Sequence, residues 1–284
     1  MLKRNPPDYF LHSHSINIKP FSIFLFIPAA FIAWEINILG QMAFPSSNLL
    51  PYFLRITITL ILGLALFIIS GSLFKYNDLS VHALGLNYKK MPVNLGKGFL
   101  IGILTMVTLS LLLYLFMPFH FIKGPLCRTD LWKESCSYLL GNTLEELMFR
   151  GFLLIIFSQL TNWRVAVIIM ALPFGLFHLQ GIGMNIEGLK MVSSTMIFSL
   201  VFSFAFILTG SMWTSIGTHV ITNIILHPFL GLDGSNKSLY LPDFYGAWPK
   251  NYDLGFWILL MNTILMATII YFSILSAQRR NKNS

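Results

Sequence analysis

Runs of predominantly apolar residues recur from residue 20 to residue 276, and no other feature restricts this chain as much. Crossing about 30 Å of hydrocarbon at about 1.5 Å per residue takes about 20 such residues. Segments of that kind fall at 20–41, 52–74, 96–118, 137–159, 164–180, 191–210, 213–230 and 254–276, the fifth and seventh being short and carrying polar residues. Composition agrees: 55% of residues are hydrophobic and 11% charged, where soluble domains carry about 25% charged residues. The pattern predicts an all-α fold, a polytopic transmembrane helical bundle of about eight spans with any catalytic cavity inside the membrane.

The bundle is read as one integral membrane domain over 1–284, because the longest loops, 75–95 and 231–253, are too short to fold alone. The polar start MLKRNPPDYFLHSHSINIKP lacks the apolar core of a cleavable signal, so the first span is expected to be retained. A net charge of +8 excludes little by itself. Its lysines and arginines are spread over termini and loops, which fits a lipid bilayer as partner and gives no nucleic-acid face. Their distribution favours both termini on the cytoplasmic side of a bacterial-type inner (plasma) membrane. Cys127 and Cys136 then share one outer loop, with pairing left open. The loop 231–253, rich in Gly, Pro and aromatics, is read mainly as an interfacial belt.

Against this background the stretch NTLEELMFRG, residues 142–151, is anomalous. A single Asp, Lys or Arg at a helix centre costs about 2.5–3.5 kcal/mol to insert. Glu145, Glu146 and Arg150 share one span and must face protein or water. Glu146 and Arg150 are four apart and can neutralise one another. Glu145, rotated by about 100°, needs a partner from another helix.

Two later spans offer one. In ALPFGLFHLQ, Phe174 and His178 are four apart; in GTHVITNIIL, so are His219 and Asn223. A carboxylate in a low-dielectric pocket can act as general base on a water molecule, with an imidazole orienting that water. Glu145 and His178 suit this role. His219 and Asn223 can donate hydrogen bonds to a carbonyl oxygen on which negative charge grows. Glu145, His178 and His219 could alternatively hold a divalent metal such as zinc, although no HExxH pair is present, and the preferred mechanism requires no cofactor.

The three pairs together, EExxxR at Glu145, Glu146 and Arg150, FxxxH at Phe174 and His178, and HxxxN at His219 and Asn223, resemble the CPBP family of intramembrane proteases. That family takes in type II CAAX prenyl endopeptidases and Abi-like proteins. The resemblance covers about residues 135–230, the expected catalytic core. It implies a helical bundle with a conical cavity, water activation by Glu145 and His178, oxyanion stabilisation by His219 and Asn223, and a supporting role for Glu146 and Arg150. The substrate class implied is a membrane-associated protein or peptide, prenylated or not; both metal-dependent and glutamate-dependent mechanisms have been described for the family. Two rivals from other classes are a non-catalytic scaffold or bacteriocin-immunity factor of the same fold and a proton-coupled transporter. The transporter would call for paired repeats with broken helices, and the sequence shows no symmetrical partner for Pro173 and Gly175. Glu35 in the first span is left outside the site, with Arg55 as a candidate partner, and His227 is read as an interfacial imidazole.

Overall fold

Residues 18–44, 49–179, 183–232, 237–245 and 252–283 are described by a computed structural model. The expectation about the N-terminal signal falls on residues outside this set, as does part of the loop 231–253.

The described chain is an all-α bundle. Helices α1 (Pro20–Ala43), α2 (Leu49–Tyr76) and α3 (Met91–Phe116) precede α4 (Arg128–Glu146), which runs through a π-helical segment, Leu147–Leu153, into α5 (Leu154–Leu160). Then come α6 (Trp163–Phe177), α7 (Ile186–Thr209), α8 (Met212–Ile224) with a second π-helical segment, Ile225–Phe229, and α9 (Tyr252–Asn283). Among the described residues five helical stretches are long and apolar enough to cross a membrane, and these contain α1, α2, α3, α7 and α9. The chain is a multi-pass integral membrane protein. Residues Phe24, Leu50 and Leu115, at least 70% exposed, present the side chains a lipid phase solvates.

The remaining segments depart from the simple pattern. The expected span 137–159 begins earlier, at Arg128, and is interrupted by its π-helical segment. The expected span at 164–180 resolves into α6 of 15 residues, shorter than a full crossing, whereas that at 213–230 is matched by α8 and its π-helical segment, continuous over 212–229. Among the described residues two elements are strands: β1 (His120–Lys123) pairs antiparallel with β2 (Tyr240–Asp243), His120 opposite Asp243. These strands join two loops that helical periodicity does not describe.

Local chemistry fixes the helix ends. Asn162 and Asn185 cap α6 and α7 by accepting the N–H groups of Arg164 and Val165, and of Gly188. Gly210 ends α7 at φ +62°, a left-handed cap that lets α8 begin two residues later. This short connection holds α8 against α7.

Helix α8 is the centre of the bundle: it packs on α3, α4 and α7, its contact with α3 being the most extensive between any two elements. Small residues permit that approach. A Cβ at Gly98 would lie 2.3 Å from the Thr214 carbonyl oxygen, and one at Gly102 would lie 2.9 Å from that of Thr218. The two form a GxxxG stripe, GFLIG, of the kind that lets helix backbones touch where lipid gives no hydrophobic drive to association. Asn262 Nδ2 then ties α9 to α3 by donating to the Thr105 carbonyl at 3.1 Å.

Gly98→Ala therefore pushes α3 off α8. The expected destabilisation is about 1–3 kcal/mol, read as a lower unfolding midpoint of the detergent-solubilised chain. Gly96→Ala, whose added methyl meets nothing within 4 Å, leaves the midpoint in place.

Candidate functional site

Arg150 sits at the bottom of the site, fully buried like Glu146. Its guanidinium lies 3.2 Å from Glu146 Oε1, while NH2 donates to the Ser199 hydroxyl at 2.9 Å and to the Ser199 carbonyl at 3.2 Å. Nε donates to Ser203 Oγ at 3.4 Å, and the Phe174 ring lies 4.2 Å from the guanidinium carbon. Such a charge is tolerable in a low-dielectric interior only with an opposite charge and donors and acceptors around it. The π-helical segment that contains Arg150 and Gly151 reshapes α4 where this cluster has to fit, a common place for such segments.

Glu146 carries the network across to α8. Its Oε2 accepts from Ser215 Oγ, and its Oε1 lies 2.9 Å from His219 Nδ1. His219 is 3% exposed and stacked on Phe202 with ring centroids 4.1 Å apart. Beside the Glu146 carboxylate, Nδ1 is the donor, so the ring turns Nε2 the other way. A carboxylate on the far nitrogen of a histidine fixes ring orientation in many sites.

Glu145 occupies the place that Nε2 faces. Its Oε2 is 3.9 Å from His219 Nε2 and equally 3.9 Å from His178 Nε2. His178, at the C-terminal end of α6, donates through Nδ1 to the Phe174 carbonyl at 2.8 Å, an oxygen that can only accept. With Nδ1 the donor in each ring, the neutral form of each imidazole presents a bare Nε2 lone pair to one carboxylate oxygen, and that oxygen is buried without a hydrogen-bond partner. Three acceptors facing each other repel unless a donor lies among them. At 3.9 Å they are too far apart for direct hydrogen bonds and close enough for one water molecule to bridge.

The four residues singled out from the sequence line one cavity of about 630 Å³, and the three motif helices bring them together. Glu145 faces the expected His178 and, equally, His219, while Asn223, one turn after His219 on α8, donates its Nδ2 to Asn142 Oδ1 at 3.3 Å. Leu109, Phe198, Phe202, Leu226 and Leu259 make the cavity largely apolar. Its far side carries Lys190, which bridges α7 and α9 through Glu187 at 3.0 Å and Asp253 at 2.6 Å.

Sequence reasoning passed over several contributors. Asn142 lies three residues before Glu145, on the same helical face, and that spacing was the available signal. Ser199, Ser203 and Ser215 are single polar residues in apolar runs, and nothing in the sequence pairs them with Arg150 or Glu146. His227, set aside as interfacial, lines the cavity and stacks on Tyr138 with centroids 5.8 Å apart. Arg55 donates to Ser137 Oγ and so ties α2 to α4. Cys127 and Cys136 are separate exposed thiols.

For the zinc alternative, oxygen and nitrogen ligands must approach one ion to about 2.0–2.2 Å. Among the described residues no group of three His, Cys, Asp or Glu is placed to hold a metal, and no step proposed below runs through one.

Fold and site together define a class: a helical membrane protein with a carboxylate and two histidines converging in an internal cavity. Residues 129–225 match the model of the family described as type II CAAX prenyl endopeptidase Rce1-like, which shows the family resemblance read from the three motifs. The chain is also 28% identical over 138 residues to the uncharacterized protein YyaK of Bacillus subtilis (strain 168). That alignment takes in 47% of this chain, and the chain spans 46%, about half, of the length of that relative.

Arg150→Ala leaves Glu146 as a buried, unpaired carboxylate. The expected loss is about 3–5 kcal/mol, seen as a drop in folded yield by size-exclusion chromatography in detergent. A yield equal to wild type would mean that the cluster does not hold the helices together.

Proposed function

We propose that this protein is an intramembrane endopeptidase of the CAAX-protease type, cleaving a peptide bond of a membrane-associated protein or peptide. The observation that carries this reading is the partnerless Glu145 Oε2 facing two imidazole Nε2 atoms at 3.9 Å in a largely apolar cavity. A water molecule held there can give its two hydrogens to residues that can also take a proton. The match to an endopeptidase family over the helices that carry these residues supports the same reading.

In the proposed reaction the water oxygen bonds to the substrate carbonyl carbon as its proton passes to Glu145, with His178 orienting the water. The carbonyl π electrons move to oxygen, which meets Asn223 and His219. His219 serves this step as an imidazolium already protonated at Nε2 before attack, its charge balanced by the Glu146 carboxylate at Nδ1, and it keeps that proton throughout. Collapse of the tetrahedral adduct breaks the C–N bond, and the proton from Glu145 passes to the leaving amine. Arg150 holds Glu146 and acts through it. The enzyme is placed in a plasma membrane with both termini cytoplasmic, and it needs no metal in this mechanism; prenylation of the substrate is left open.

On a membrane-anchored peptide carrying a cleavage site that depends on the wild-type chain, Glu145→Ala and His178→Ala are each expected to abolish turnover while folded yield stays near wild type. Wild-type turnover in either variant would refute the role assigned to that residue. Elemental analysis of active, purified enzyme addresses the metal separately. Zinc below one-tenth of stoichiometry is the expected result, and zinc at one per chain would replace the metal-free mechanism.

A further inference from the structure

Asn223 spends one of its two Nδ2 hydrogens on Asn142 Oδ1 and keeps the other for the oxyanion. Asn142 is 97% buried and lines the same cavity as Glu145 and Asn223. Its own Nδ2, with two hydrogens to give, has no hydrogen-bond partner. An amide donor left unpaired in a buried place costs about 1–3 kcal/mol, so its persistence beside the reacting groups asks for an acceptor supplied from outside the chain. The surrounding side chains offer none at this atom, and the cavity admits a ligand.

We infer that Asn142 is a further catalytic residue of the proposed hydrolysis, donating an Nδ2 hydrogen to the substrate carbonyl oxygen as it becomes negative. This inference rests on the endopeptidase reading above. Asn142 stands one helical turn before Glu145 on α4, so the base that takes the proton from water and the donor that meets the oxyanion are set by one rigid element. Asn223, reaching from α8, fixes the Asn142 carboxamide by donating to its oxygen and leaves the nitrogen as its unspent end. The two carboxamides act as a pair: Asn223 orients Asn142 with one hydrogen, and each keeps a donor for the oxyanion.

The test uses the full-length chain in liposomes with the membrane-anchored peptide named above, comparing wild type, Asn142→Leu, Asn142→Asp and Glu145→Gln. Asn142→Asp keeps the oxygen that Asn223 needs and replaces only the free donor by an acceptor, so it reports even if the leucine variant folds poorly. Removing one oxyanion donor lowers kcat by about 10²–10³-fold, and because the bond forms with the charged oxygen, KM should stay within about twofold. A raised KM with unchanged kcat, or wild-type values for both, would overturn the inference. If Glu145→Gln is inactive while Asn142→Asp cleaves at the wild-type kcat, the donor assignment alone falls. If Glu145→Gln also cleaves at the wild-type rate, the glutamate-dependent hydrolysis falls and Asn142 with it.

Discussion

A fully buried arginine holds this bundle together at its polar centre. Arg150 can stay there only because Glu146 lies one turn before it on its own helix and because Ser199 and Ser203 of α7 receive its remaining donors. Glu146 in turn reaches Ser215 and His219 of α8. One guanidinium and one carboxylate thus bind three helices, and removing either partner strands a charge in low dielectric. The GxxxG stripe of α3 is the complement of this network, since it presses α8 from the opposite side and leaves His219 little freedom.

The consequence for chemistry is a division of labour between adjacent glutamates. Glu146 is consumed by structure: each of its oxygens has a partner. Glu145, next in the chain and about 100° around the helix, escapes that network and faces the cavity with an oxygen that nothing in the protein satisfies. A static ion-pair cluster, the bland reading of two acids in a span, accounts for Glu146 and Arg150 but leaves Glu145 unexplained. The water proposed at Glu145 would supply the partner that this cluster does not.

Much of this was legible in the sequence because the membrane makes polar residues conspicuous. Glu145, Glu146, Arg150, His178, His219 and Asn223 stand out against apolar runs, and spacing of four gave the Glu146–Arg150 pair directly. What spacing could not give was rotation between helices. It joined His219 to Asn223 because they share a face of α8, whereas the packing of α4 brings Asn142 to Asn223 and turns His219 toward both glutamates. The π-helical segments after Glu146 and Ile224 were equally hidden, since hydropathy is indifferent to whether a turn holds 3.6 residues or more. The β1–β2 pair was missed because two four-residue strands at the ends of loops carry no periodicity long enough to read.

If Glu145 drives peptide-bond cleavage in the membrane, new peptide termini must depend on it. Mass spectrometry compares such termini in membranes holding the wild-type chain or Glu145→Gln at matched abundance. The expected result is a set of termini present with wild type and absent with the variant, each within or next to a membrane-associated segment. Identical termini in the two membranes, with both proteins folded, would contradict it and return Glu145 to a structural or transport role.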